Sequence, residues 1–206
     1  MVRKNTVLKT IFDIIVSILG LIILFPILII VCLLSLFFQG LPLFFFHDRL
    51  GKDEIKFTMI KFRTMSNGES ISAEHDITRL TKWGRLLRKT SIDELPVLIN
   101  VIKGDMSLVG PRPLPVKYLS RFDSFQKKRM KIKPGITGLA QINGRNRLSW
   151  DERFNYDIDY IRKRTFLLDL MIIFKTIFLV TYRKNVDGRS QEIMPEFMGS
   201  KNNKDK

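Results

Sequence analysis

From Ile14 to Phe38 the chain reads IIVSILGLIILFPILIIVCLLSLFF, 25 consecutive positions without a charge. That length meets the threshold for a helix able to enter a bilayer. It exceeds the apolar core of a signal peptide, and no small-residue cleavage site follows it, so retention of the segment is expected. Pro26 falls near its middle, where a proline removes one helical hydrogen bond and crowds the preceding turn. Each half is about a dozen residues, roughly 18 Å of helix, enough to enter a bilayer about 30 Å thick and turn back. Basic residues flank both ends: Arg3, Lys4 and Lys9 before it, and Arg49, Lys52, Lys56 and Lys61 after it. The positive-inside rule draws both ends to the cytoplasm. On the residues alone two topologies stay open, a re-entrant monotopic hairpin and a spanning helix with a mild proline kink.

Beyond this segment the apolar spacing changes. Residues Leu41 to Phe46 and Ile55 to Arg63 flank Gly51-Lys52-Asp53, and the second run alternates, which predicts a small β-hairpin. Asn67 to Asp76 is polar and is expected to be loop. From Ile77 to Arg88 the positions Ile77, Leu80, Trp83, Leu86 and Leu87 recur at helical spacing among arginines and lysines, predicting a basic amphipathic helix. Further helices are expected over Leu95 to Lys103, ending at Gly104, over Val116 to Lys131, and over Trp150 to Arg164. Phe166 to Val180 is very apolar but short and carries Asp169 and Lys175, so it is expected to lie in the membrane interface or against the core. The fold class expected is mainly α with a small β-hairpin, in three parts. These are a basic flank and membrane helix (1–40), a catalytic domain (41–187) and a partly disordered tail (188–206).

Composition narrows the partners. A formal net charge of +15 calls for anions, whether nucleic acid, a lipid surface or a phosphorylated substrate. A nucleic-acid module has no need of the long apolar segment, so nucleic acid is set aside and the charge is assigned to lipid headgroups and phosphates. Lys and Arg total 35 against 20 acidic residues, and with two histidines and one cysteine the chain offers no zinc pattern. Cys32 sits within the apolar run and reads as a buried, unreactive thiol.

Candidate chemistry concentrates in Ser91-Ile92-Asp93-Glu94-Leu95-Pro96. Ser91 and Glu94 fit a capping box, although Pro96 suits Asp93 better as the N-cap. In either register both carboxylates stand at a helix N-terminus, which favours negative charge. The pair also supplies hard oxygen ligands for Mg²⁺, which binds through one or two carboxylates together with substrate phosphates. Arg88 upstream and Arg112 downstream could hold a diphosphate. Arg112 stands between Pro111 and Pro113, whose fixed backbone angles limit where its side chain points. The glycine-rich stretches Lys133 to Gly138 and Gln141 to Arg145 form a second polar patch, which could equally be turn punctuation.

The segments KFRTM (61–65), SIDELPVLINVIKGDMSLVGPRP (91–113) and KPGITGLAQINGR (133–145), with the helix around Tyr156, Asp157 and Tyr160, resemble the bacterial sugar transferases. Within that family the layout is similar to the small monotopic phosphoglycosyl transferases. The resemblance implies a ping-pong reaction at a bacterial inner membrane, with the catalytic domain on the cytoplasmic face. Asp93 would attack a UDP-sugar, releasing UMP and retaining a phospho-sugar that undecaprenyl phosphate then accepts. Mg²⁺ would neutralise the diphosphate, with Asp93 and Glu94 as its ligands, and Glu94 would help hold the metal or manage the proton. The resemblance further implies that Pro111, Arg112 and Pro113 lie near the nucleotide, and that Arg88 and Arg145 contact phosphate. Lys61 and Arg63 join the candidate substrate-binding residues. It also favours the re-entrant hairpin. An N-acetylated amino sugar is the expected cargo, because larger relatives that handle glucose or galactose carry extra spanning helices. Two departures stand out, His47 where many relatives carry glutamine and Phe25 where some have serine before the proline. The competing readings are a membrane-anchored scaffold, in which Asp93 and Glu94 only cap a helix, and a transferase that passes the sugar without its phosphate and releases UDP.

Overall fold

The structure is a computed structural model that describes residues 2–68, 78–144, 147–182 and 196–199. The expected positions Arg145, Ile77, most of the 67–76 loop and most of the 188–206 tail lie outside the described residues. The fold is mainly helical, with short two-stranded sheets. Contacts divide the chain into two compact units, Met1–His47 with Thr58–Leu108, and Asp48–Phe57 with Val109–Lys206.

In the first unit, helix α1 spans Val2–Gln39 and contains Pro26. The break expected at the proline is not an interruption of the helix. One proline costs a single intrahelical bond, and the hydrogen bonds of the flanking apolar turns carry the helix past it. The hairpin forms as expected, with strand β1 over Phe44–Leu50 and β2 over Lys56–Phe62. Helix α2, Lys82–Thr90, starts later than the apolar spacing indicated because the Thr81 hydroxyl caps it, accepting from Gly84 N–H at 2.9 Å. The same hydroxyl donates to Thr64 C=O. A Cβ on Gly84 would come within 1.8 Å of that carbonyl oxygen, so this helix packs directly on the strand's exit. Val31, Phe62 and Leu87 form the apolar centre, with Phe44, Trp83 and Ile92 against them.

Instead of one helix over Leu95 to Lys103, the chain forms a 3-10 turn at Ile92–Val97 followed by helix α3, Leu98–Lys103. Pro96 has no N–H to give and explains why α-helical bonding starts after it. Gly104 ends α3 at φ 86°, a left-handed backbone that glycine adopts without a Cβ clash. Asn100, in an otherwise apolar helix, is buried and clips α3 to β2. Its amide nitrogen donates to Thr58 C=O at 2.8 Å, and its amide oxygen accepts from Ile60 N–H at 3.1 Å.

Strand β3, Ser107–Val109, leads into the second unit, where β4, Gly135–Thr137, pairs beside its end. The helix expected over Val116 to Lys131 is two 3-10 segments, Val116–Arg121 and Gln126–Lys131. Asp123 and Gln126 divide it, exchanging side chain to backbone hydrogen bonds of 2.7 and 3.2 Å that make a turn there instead of continuous helix. Helix α4, Leu139–Asn143, precedes α5, Trp150–Lys163, which begins on a full capping box of Ser149 and Glu152. Helix α6, Phe166–Thr181, buries Asp169 and Ile172 and exposes Phe166, Leu167, Met171, Phe174, Ile177 and Phe178.

The core of this unit is aromatic, built on Tyr118, Phe122, Phe154 and Phe197 with Trp150 packed against them. Phe197 belongs to the expected tail yet is 2% exposed. Arg121 fixes it in place, donating to Phe197 C=O at 2.5 Å and to the Glu196 carboxylate at 2.8 Å.

Candidate active site

Asp93 and Glu94 sit in the 3-10 turn Ile92–Val97, with Asp93 buried and Glu94 partly so. The Ser91–Glu94 capping box does not form. Ser91 takes a left-handed conformation, φ 59°, where α2 ends and the turn begins, and its side chain makes no cap bond. Glu94 instead accepts from Lys61 Nζ at 2.6 Å, an ion pair with both side chains less than one-fifth exposed. The hairpin therefore delivers a cation to the residue beside Asp93.

The other expected basic residues of this unit have different settings. Arg88, in the last turn of α2, donates from Nε to the Thr64 hydroxyl at 3.0 Å, leaving the guanidinium in an exposed residue beside the start of the Ile92–Val97 turn. Arg63 is buried among partners of its own unit. Its guanidinium reaches the carbonyl oxygens of Gln39 and Gly40, the latter at 2.7 Å, and the Asn67 side chain. It ties off the free carbonyls at the end of α1, which the sequence could not show because those partners lie 23 and 24 residues away.

In the second unit, the backbone at Gly110 and Pro111 is tied to the KPGITG stretch. Pro111 C=O accepts from Gly135 N–H at 2.9 Å, and Gly110 N–H donates to Thr137 C=O at 2.9 Å. A Cβ on Gly135 would fall 2.0 Å from Gly110 nitrogen, and one on Gly138 would fall 2.2 Å from Gly110 oxygen. The glycines of the KPGITG stretch are thus more than turn punctuation, because they let one backbone lie directly on the other. A cleft is lined there by Gly51, Pro111, Arg112, Pro113, Arg129 and Pro134.

Arg129 is the residue that sequence reasoning missed. It is buried, as is Asp157, to whose carboxylate it donates from Nε at 2.9 Å and from a terminal nitrogen at 2.7 Å. The same terminal nitrogen donates to Arg112 C=O at 2.7 Å. Burial pushes the Asp157 carboxyl up, against the pull of Arg129. Arg153 beside it is brought down to about 10, first by burial and then by the like charge of Arg112. An arginine within a basic run gave no signal of these contacts. Asp157 was visible only as part of a recognisable helix.

Among the described residues no group of three or more His, Cys, Asp or Glu side chains could hold a metal. The donor set at Asp93 and Glu94 suits a hard cation that takes one or two carboxylates and completes its shell with substrate oxygens.

A model of the bacterial sugar transferases matches residues 4–183. The chain belongs to the bacterial sugar transferase family. It is 46% identical over 163 residues to the uncharacterized sugar transferase EpsL of Bacillus subtilis (strain 168), covering 78% of this chain and 81% of that one. It is 42% identical over 191 residues to a UDP-glucose:undecaprenyl-phosphate glucose-1-phosphate transferase of Klebsiella pneumoniae, covering 84% of this chain and 40% of that one. It is 38% identical over 200 residues to an undecaprenyl-phosphate galactose phosphotransferase of Salmonella typhimurium, covering 88% of this chain and 42% of that one. As a member of the family, this sugar transferase is a phosphoglycosyl transferase of glycoconjugate biosynthesis.

Proposed function

We propose that this sugar transferase moves a sugar-1-phosphate from a UDP-sugar to undecaprenyl phosphate and releases UMP, through a covalent phospho-sugar on Asp93. The observation that carries this reading is the setting of the buried Asp93, next to a Glu94 that Lys61 holds by an ion pair of 2.6 Å. The names of the Klebsiella and Salmonella relatives support the overall reaction.

In the first half-reaction an Asp93 carboxylate oxygen attacks the sugar-proximal phosphorus. The bond from that phosphorus to the bridging oxygen breaks, and the bridging oxygen leaves with UMP. In the second, a phosphate oxygen of undecaprenyl phosphate attacks the same phosphorus and Asp93 departs as a carboxylate. Asp93 and Glu94 would hold Mg²⁺, which supplies charge neutralisation of the diphosphate. Lys61 holds Glu94 in place, Arg88 meets phosphate, and the rigid Arg112 loop meets the nucleotide.

The membrane disposition belongs to the same proposal. Helix α1 is held by its own unit on both sides of Pro26. Before it, Asp13 accepts from the Ser107 hydroxyl at 2.6 Å and Gly20 abuts Leu98. After it, Ser35 accepts from Trp83 Nε1 at 2.9 Å, and the Gln39 side chain donates to Arg63 C=O at 3.1 Å. A helix crossing the bilayer would carry Asp13 and Ser35 to opposite faces, away from a single unit. The turns around Pro26, with Ile22, Ile23 and Phe25 exposed, fit insertion into one leaflet of the inner membrane from the cytoplasmic side. The exposed apolar face of α6 fits an interfacial position, where the chain's positive charge meets anionic headgroups.

The deciding assay measures nucleotide release by the full chain in bilayers with undecaprenyl phosphate and Mg²⁺, across a panel of UDP-sugars. The N-acetylated amino sugars are one arm, glucose and galactose the others. UMP release and an intact-mass adduct of one phospho-sugar are expected, both lost in Asp93→Asn. UDP as product, or full activity in Asp93→Asn, would falsify the mechanism.

A further inference from the structure

The Arg112 loop is stiffened by its prolines, but stiffness alone does not set its direction. Three of its carbonyl oxygens have fixed donors. Pro111 C=O takes Gly135 N–H and Leu114 C=O takes Leu50 N–H, both at 2.9 Å. Arg112 C=O alone is served by a side chain, the Arg129 guanidinium, at 2.7 Å. That guanidinium is itself aimed by Asp157, through Nε and a terminal nitrogen, and it lies over the Phe154 ring with 5.6 Å to the centroid. Asp157 and Phe154 both belong to α5, whose start is fixed by the Ser149–Glu152 capping box. A planar fork between a carboxylate and a carbonyl leaves little freedom to either.

We propose that Arg129, oriented by Asp157, is a positioning residue for the nucleotide. It fixes the Arg112 backbone, and so the direction of the Arg112 guanidinium, without touching substrate itself. This rests on the reading that Pro111-Arg112-Pro113 meets the UDP-sugar. Contact between a guanidinium and the nucleotide is sensitive to angle, so the pair acts on binding of the donor nucleotide and leaves the acceptor lipid unaffected. A buried ion pair kept only for stability would have no such selectivity.

The test compares Arg129→Lys, Asp157→Asn and the exchanged pair Arg129→Asp/Asp157→Arg in the full chain. Three readouts are taken: thermal stability, hydrogen exchange at the amides of Gly110, Arg112 and Leu114, and KM for UDP-sugar and for undecaprenyl phosphate. Lysine keeps the charge and loses the fork. Arg129→Lys should exchange faster in this loop and show a KM for UDP-sugar raised about tenfold, the worth of one charged hydrogen bond. Its kcat and its KM for undecaprenyl phosphate should be near wild type. The exchanged pair should recover stability and keep the raised KM, because Asp at 129 offers no donor to Arg112 C=O. If its KM recovers with its stability, the pair is structural and the proposal fails. Unchanged loop exchange in all three variants also overturns it. Absence of UMP release by the wild type would instead overturn the enzymatic reading, with loop exchange still deciding whether Arg129 positions Arg112.

Discussion

Lys61 Nζ meets Glu94 Oε1 at 2.6 Å, so a strand residue 33 positions upstream steadies the carboxylate next to Asp93. If Glu94 helps hold Mg²⁺, Lys61 is its outer partner, and such partners typically govern about 10–100-fold in activity or metal affinity. Lys61→Met should lower UMP release by that factor. Both side chains are less than one-fifth exposed, so losing the cation also lowers the melting temperature, and activity is compared at a temperature where both proteins remain folded. A loss of activity that simply tracks unfolding would count against this role.

Phe197 makes the segment Glu196–Gly199 part of the second unit's core. Its ring lies 5.2 Å from those of Trp150 and Phe154 and 5.6 Å from that of Phe122. Removing a buried phenylalanine from such a site costs about 3–5 kcal/mol. Phe197→Ala should unfold at lower denaturant and be cut faster by protease between 109 and 182, whereas Met198→Ala, at an exposed position, should not.

The start of α5 carries a pH dependence. The Ser149 hydroxyl and N–H both donate to the Glu152 carboxylate at 2.8 Å, lowering its pKa from the ordinary 4.5. A depressed folded pKa means that the carboxylate's contribution is complete above about 4.5 and fades as the pH falls through the lowered value. Glu152→Gln keeps a capping partner that does not titrate. Melting temperatures from pH 6 down to 3.5 should fall more for the wild type than for Glu152→Gln, and parallel curves would remove the effect.

Topology can be read with thiols, since Cys32 is the one cysteine in the sequence. In a Cys32→Ala background, Asn5→Cys and Lys52→Cys should both resist an impermeant reagent in intact cells and both react after permeabilisation. Labelling of Asn5→Cys alone in intact cells would show a spanning helix and end the re-entrant reading.

Periodicity and composition were sufficient for the elements whose signal is local. The apolar run of α1, the alternation in β2, the Gly104 stop and the Ser149–Glu152 start of α5 all depend on residues a few positions apart. The family could be read because its motifs are continuous in the chain. What the sequence left undecided depended on partners far along it. Ser91 could have capped a helix, and whether it did was settled by the left-handed turn between α2 and the 3-10 segment. Arg63 and Arg129 look alike as basic residues near motifs, yet one closes the end of α1 and the other holds Arg112. A guanidinium takes its role from the oxygens that packing brings within reach, and pattern along the chain does not encode that distance. Spacing and apolarity by themselves determined α1, the hairpin and α5, but not the 3-10 segments at Ile92–Val97, Val116–Arg121 and Gln126–Lys131. Only the tertiary structure decided which charges meet, because burial removes water as the alternative partner and leaves each buried polar group to the few neighbours it can reach.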